Sequence, residues 1–238
     1  MRTFGLIGKS LSHSFSSSYF HDKFIKEEIS NTEYLNFELK DVSEFTQLIS
    51  TYKLSGLNVT VPYKESIIPF LDELSEDAKS IGAVNTIQFI NGKLVGHNTD
   101  INGFKKSILP ILEGRNKALI LGDGGGAKAV KHALNQLDIT HKTVSRNTSI
   151  KYSDISTQHI DFNTIIINTT PLGMFPKVKN FPQIPYKLLT EKHLLFDLIY
   201  NPSETLFLSY GRARKSSTKN GLEMLEIQAE ASWNIWNT

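Results

Sequence analysis

Ala118-Leu119-Ile120-Leu121-Gly122-Asp123-Gly124-Gly125-Gly126-Ala127 is the stretch on which the fold turns. Four apolar residues run into a glycine cluster, and residues 127–137 beyond it carry their apolar positions at helical spacing. Strand, glycine turn and helix in that order satisfy G-x-G-x-x-A in the one context that gives the motif mechanical meaning. Gly122 permits the tight turn, Gly124 lets an anion approach the backbone, and Ala127 lets helix and strand pack closely. Amides at the helix N-terminus then face the anion, which predicts a dinucleotide pyrophosphate site. Without its flanks, the same cluster would read as an ordinary flexible loop.

Downstream, residues 142–145, 164–168 and 194–199 read as further strands, and a parallel α/β sheet is the economical arrangement. Residues 146–163 are polar and only weakly helical, so the crossover expected there is short or irregular. About twenty residues past the glycines, where NAD-specific domains carry an acid for the ribose hydroxyls, stands Ser145-Arg146-Asn147. Arg146 can pair with a 2′-phosphate through charge-assisted hydrogen bonds, with Ser145 and Asn147 as further donors, which favours NADP over NAD. The plain alternative is a surface arginine. Asp123 is a complication, since a carboxylate beside a pyrophosphate repels it unless it points away.

Upstream the pattern is strand 3–7, helix 14–29 with Phe20, Phe24 and Ile25 on one face, strand 34–39, helix 42–52 and strand 56–61. Strands 84–90 and 93–96 flank Asn91-Gly92, a pair that tolerates positive φ at both positions and favours a two-residue hairpin. That hairpin predicts an antiparallel edge to the first lobe. A helix over 100–109 leads out, stopped near Pro110 and Gly114, and residues 222–236 place Leu222, Leu225, Ala229, Trp233 and Trp236 at helical spacing for a closing helix.

The 238 residues leave one or two domains open, and 39% apolar with 21% charged residues support a packed core. Lysine plus arginine number 26 against 24 acids, so no strong field draws the chain to nucleic acid or an anionic membrane. Arg212, Arg214, Lys215 and Lys219 form the one dense basic cluster, without interleaved aromatics, and read as a solvated helix end and loop. The lack of cysteine excludes disulfides, cysteinyl zinc sites and a thiol nucleophile, and fits a reducing compartment. Residues 1–9 are apolar too briefly for a signal peptide or spanning helix, so a cytoplasmic protein is expected.

An alcohol-oxidising hydride enzyme without cysteine or a metal cluster needs another group for the hydroxyl proton, and lysine and carboxylate remain. Lys64 follows Asn58-Val59-Thr60-Val61-Pro62-Tyr63 just beyond a strand, and Asp100 follows Gly96-His97-Asn98-Thr99 at a helix start. Both fall at strand ends, where open α/β sheets gather ligands. On spacing alone a solvated lysine and a helix-capping aspartate read at least as well.

Along nearly its whole length the chain resembles the shikimate dehydrogenase family. The resemblance rests on ordered motifs: Gly8-Lys9-Ser10-Leu11-Ser12-His13-Ser14-Phe15-Ser16, Asn58 to Lys64, Gly82-Ala83-Val84-Asn85-Thr86, and Gly96 to Asp100 with Asn102-Gly103. After the glycine turn come Asn168-Thr169-Thr170-Pro171-Leu172-Gly173-Met174, Asp197-Leu198-Ile199-Tyr200-Asn201-Pro202, and Gly221-Leu222-Glu223-Met224-Leu225 with Gln228. It implies an N-terminal α/β substrate-binding domain (1–101 with 221–238), a Rossmann-like NADP-binding domain (102–220), and an active site in the cleft between them. It implies the reversible NADPH-dependent reduction of 3-dehydroshikimate to shikimate, with no metal, by a monomer or homodimer.

Residue by residue, the resemblance implies that Ser14 and Ser16 bind the substrate carboxylate, with Tyr200 assisting, while Thr60, Asn85, Asp100 and Gln228 hold hydroxyls. His13 supports its loop. Lys64 and Asp100 form the catalytic pair, with the lysine as acid, base or electrostatic stabiliser. Gly122, Gly124, Gly125, Ala127, Ser145, Arg146 and Asn147 hold the cofactor, and the 169–174 loop from Thr169, with Leu198, Gly221 and Met224, borders the nicotinamide. The chain departs from the family in Asp123, where a small residue is usual, in Ser145-Arg146-Asn147 for the usual Asn-Arg-Thr, and in lacking a downstream arginine, though Lys151 lies nearby. Two rival readings are a quinate or dual quinate/shikimate dehydrogenase using NAD or NADP, and a non-catalytic ligand sensor.

Overall fold

The computed structural model describes residues 1–11 and 14–238, so the expectations on Ser12 and His13 lie outside the described residues. The chain divides into two compact units, Met1–Thr99 with Gln228–Thr238, and Asp100–Ile227.

The first unit runs β1 (Arg2–Gly8), α1 (Phe15–Lys26), β2 (Thr32–Glu38), α2 (Phe45–Thr51), β3 (Leu54–Val59), β4 (Glu73–Leu74), α3 (Glu76–Ile81), β5 (Thr86–Ile90) and β6 (Lys93–His97). Its sheet has the order β2-β1-β3-β5-β6-β4. β1 is parallel to both β2 and β3, and it is buried along all but its first residue, as a continuous apolar run demands of a central strand. Gly5 is required there, because a Cβ would stand 2.5 Å from the Phe37 ring.

β5 and β6 pair antiparallel around a turn in which Asn91 and Gly92 have φ of 52° and 75°, the doubly left-handed geometry expected of this pair. The hairpin is not the sheet's edge, however. The two-residue β4 adds outside it, parallel to β6, and is too short to leave a periodic signal.

On α1, Phe20 and Phe24 are buried, whereas Ile25 is 66% exposed and corrects the expected three-residue face. Five residues at 100° each carry Ile25 about 140° from Phe20, whereas the i, i+4 pair stays together. The buried pair joins Phe4, Ala229 and Trp236 in an aromatic cluster, with Phe4 and Trp236 stacked at 4.9 Å. Each such ring withdrawn from water contributes about 1.5–3 kcal/mol.

The second unit runs α4 (Asp100–Ile108), β7 (Lys117–Leu121), α5 (Gly125–Gln136), β8 (Thr140–Val144), α6 (Thr157–Phe162), β9 (Ile165–Asn168), β10 (Leu194–Asp197), α7 (Leu206–Arg212), β11 (Ser217–Lys219) and α8 (Leu222–Trp236). The break between units falls within α8. All five strands are parallel in the order β11-β10-β9-β7-β8, a Rossmann-like sheet. Strand order reverses direction between β7 and β9, so their carboxyl ends form the switch point where such sheets bind ligands. The irregular crossover contains one short 3-10 turn and the six-residue α6. Among the described residues no helix is long and apolar enough to cross a membrane.

Candidate functional site

In the second unit, β7 delivers Gly122 at φ 110°, and a Cβ there would meet Thr169 Oγ1 at 2.7 Å. Thr169 is held against the same strand end, donating from its backbone N (2.9 Å) and Oγ1 (2.8 Å) to the Leu121 carbonyl. Gly122 and Thr169, from turns 47 residues apart in sequence, thus meet at the switch point. Gly124 caps α5 without a side chain, and a Cβ on Gly124 or Gly125 would touch nothing within 4 Å. Open space above the first turn of a twelve-residue helix, whose leading amides lack intrahelical partners, fits a pyrophosphate. Ala127 is fully buried, as close packing of α5 requires.

Leu198 lies against this turn: its Cδ2 would stand 3.1 Å from a Cβ on Gly126, and a Cβ on Gly221 would overlap the Leu198 carbonyl. Met224 is buried two residues into α8. Just past β8, Ser145 is buried, Arg146 and Asn147 are exposed, and Lys151 Nζ donates to the Arg146 carbonyl at 2.7 Å.

Beneath the turns lies a group that motif reading does not single out. Asp197 is fully buried; Oδ1 accepts from Asn168 Nδ2 (3.0 Å) and Ile199 N (3.1 Å), and Oδ2 from Thr205 Oγ1 (2.6 Å). Burial pushes its carboxyl up to about 6, against the pull of these donors. Asn168 Oδ1 in turn accepts from Thr170 N (3.0 Å) and Oγ1 (2.7 Å), so the pair shapes the 169–174 loop. Tyr200 follows on the same segment, its phenol pushed up by burial.

In the first unit, a buried polar network replaces part of the core. Asn58 Nδ2 donates to the Asn85 carbonyl (3.2 Å), Thr86 Oγ1 (3.2 Å) and Ser232 Oγ (3.0 Å), and its Oδ1 accepts from the Tyr34 hydroxyl (2.8 Å). Asn85 Oδ1 accepts from Thr99 N (2.7 Å), and its Nδ2 donates to Thr99 Oγ1 (3.0 Å) and Gln228 Oε1 (3.3 Å). Asn85 and Gln228 are therefore brought together. Burial pushes the Tyr34 phenol up, and the Ser16 hydroxyl beside it pulls partway back.

Ser14 precedes α1, and its buried Oγ has no hydrogen-bond partner, an unmet polar atom two residues before Ser16. Thr60 directly follows β3, its N donating to the Ile7 carbonyl (2.9 Å), and Lys64 sits in the following turn with its carbonyl accepting from Val84 N (2.7 Å). Asp100 is the first residue of α4. Tyr34, Asn58, Thr86, Thr99 and Ser232 extend the expected set, and for Asn58, Thr86 and Ser232 the usable signal is a buried amide or hydroxyl within a strand or helix. Among the described residues no group of three His, Cys, Asp or Glu is placed to hold a metal.

Residues 6–87 match the shikimate dehydrogenase substrate binding domain. The NADP(+) shikimate dehydrogenase of Methanococcus maripaludis is 38% identical, over 98% of this chain and 90% of its own length. The chorismate mutase/shikimate 5-dehydrogenase fusion protein from Clostridium acetobutylicum matches at a TM-score of 0.87 and 37% identity, covering 100% of this chain and 91% of that one. The shikimate 5-dehydrogenase from Thermus thermophilus in complex with NADP(H) and shikimate matches at 0.85 and 26%, covering 99% and 93%. With a glycine turn at the switch point of one sheet, a polar network in the other unit, and relatives this similar from end to end, the chain belongs to the shikimate dehydrogenase family.

Proposed function

We propose that this chain catalyses the reversible reduction of 3-dehydroshikimate to shikimate with NADPH. The observation that carries the reading is the glycine turn, packed tight at Gly122 and open above Gly124 and Gly125, at the switch point between β7 and β9 where a dinucleotide fits. The unpartnered Ser14 hydroxyl supports the substrate half, since paired serine hydroxyls suit a carboxylate.

Within this reading, residues 102–220 bind the cofactor, and 1–101 with 221–238 bind the substrate. When bound, the nicotinamide supplies or accepts the hydride at the carbon bearing the reacting oxygen. Lys64 holds the proton at that oxygen, giving it to the ketone on reduction and taking it from the hydroxyl in reverse. Asp100 orients and charge-matches Lys64. Ser14, Ser16 and Tyr200 bind the carboxylate, and Thr60, Asn85 and Gln228 take hydroxyls through mixed donor and acceptor contacts. Gly122, Gly124, Gly125 and Ala127 shape the pyrophosphate cradle, Thr169, Leu198, Gly221 and Met224 border the ring, and Arg146 with Ser145 and Asn147 faces the adenosine ribose. The protein works in the cytoplasm, as monomer or homodimer, on small molecules rather than on nucleic acid or a membrane surface.

The test supplies shikimate or quinate with NADP or NAD and follows reduced nicotinamide by absorbance. Shikimate with NADP should turn over; ligand binding without turnover would replace the enzyme by a sensor. Lys64→Ala should lower kcat by about 10²–10⁴ with an unchanged circular dichroism spectrum, as loss of a positioned proton donor does. Near wild-type kcat in that variant would remove Lys64 from the mechanism.

A further inference from the structure

Ser145 and Asn147, expected to face a 2′-phosphate, already direct donors at a carboxylate of this chain. Ser145 Oγ donates to Asp123 Oδ2 at 2.9 Å, and Asn147 Nδ2 donates to the same oxygen at 3.0 Å. Ser145 Oγ also accepts from Asn147 N (2.9 Å) and Thr148 N (3.0 Å), so its single proton and both lone pairs are engaged. Ser145 is 3% exposed, so one of the two donors is anchored inside at the end of β8, while the exposed Asn147 closes on the carboxylate from outside.

The donors, Ser145 first and Asn147 second, hold the Asp123 carboxyl below the usual carboxylate range, and it is ionised at neutral pH. Its charge reaches the crossover that follows β8. Burial, and after it Asp123, raises the phenol of Tyr152, whose buried hydroxyl has no hydrogen-bond partner. Against this stands the exposed Arg146, one positive charge for one negative.

A carboxylate only accepts hydrogen bonds. It matches a ribose 2′-hydroxyl, which can donate, and opposes a 2′-phosphate, which carries about −1.5 to −2 charge at neutral pH and offers acceptor oxygens. Acid at the ribose is the usual device of NAD-selective domains, supplied from the end of the second strand. Here an acid stands on the glycine turn instead, and residues just past the second strand orient it.

Resting on the cofactor reading above, we propose that Asp123 is a specificity-determining residue: its carboxylate, aimed by Ser145 and Asn147, lowers preference for a 2′-phosphate so that this chain accepts NAD(H) alongside NADP(H).

Calorimetric titration of the full chain with adenosine 5′-phosphate and adenosine 2′,5′-bisphosphate isolates the discriminating group without turnover. Asp123→Asn keeps an acceptor for Ser145 and Asn147 and deletes the charge. It should raise the affinity ratio of bisphosphate to monophosphate by about tenfold, and kcat/KM for NADP over NAD should rise in parallel. A ratio within about twofold of wild type, or lower, overturns the proposal. If Asp123→Asn binds neither nucleotide, Asp123→Ser is scored by the same ratio and decides. Failure of the wild-type chain to bind either nucleotide would reject the cofactor reading itself, an outcome distinct from an unchanged ratio.

Discussion

Asp197 shows how a single buried charge is held in place and at what cost. Its three donors do not offset desolvation fully, and the carboxyl rests at about 6 in the folded chain against 3.8 for an ordinary aspartate. The native state therefore binds more protons than the unfolded state between those values, and this group's contribution to stability is full at low pH and declines as pH rises through 6. A rise of that size corresponds to about 3 kcal/mol. Asp197→Asn removes the titration while keeping acceptor and shape. Its stability relative to wild type should climb by about that amount between about pH 4 and pH 7, read from urea midpoints. A difference independent of pH would show that the carboxyl does not titrate in the fold. Motif reading names Asp197 only as part of a match, because the depth of a carboxylate below a sheet end is not a property of its neighbours in sequence.

At the scale of elements, strands and helices exchange polar anchors across long stretches of chain. Asn58 on β3 reaches Ser232 on α8, 174 positions away, and Tyr34 on β2 reaches Asn58. The Asn58 side chain serves one donor and three acceptors, and Ser232 Oγ meets Asn58, Thr86 Oγ1 (2.8 Å), Thr99 Oγ1 (3.3 Å) and the Gln228 carbonyl of its own helix (3.0 Å). Removing the Asn58 amide leaves several buried groups unmatched, each costing about 1–3 kcal/mol, whereas Thr86 and Thr99, which meet the Ser232 hydroxyl, both keep a bond to Asn85 Oδ1. Asn58→Ala should accordingly destabilise by about 2–3 kcal/mol and Ser232→Ala by about 1 kcal/mol in urea titrations. Equal small losses would mean that water replaces the amide without cost. The elements themselves were largely legible: β1, the β5–β6 hairpin, the β7 turn into α5, and α8 all follow from periodicity and from φ demands at Asn91, Gly92 and Gly122. Short elements were not. α3 is marked only by its cap, Ser75 accepting from Ala78 N, and by left-handed Gly82 at its end.

For the whole molecule, the nucleotide candidates from Gly122 to Met224 lie in the unit Asp100–Ile227, whereas Ser14, Ser16, Thr60, Asn85 and Gln228 lie in the other. Adding adenosine 2′,5′-bisphosphate should therefore slow amide exchange at residues 117–147 and leave 54–60 and 85–99 unchanged, since protection follows the local stability that a ligand adds. Equal protection in both would reject that division of labour. The sequence alone determined the local units, because a hydrophobic period, an Asn-Gly pair or a glycine turn is written within a few neighbouring residues. It determined the family too, because ordered motifs survive without knowledge of the contacts they make. Tertiary structure decided the order of strands, the outer place of β4 and the partners of Asn58, Asp123 and Asp197. Those depend on which distant segments share a buried volume, and burial sets both the cost of a polar group and the partner that must meet it.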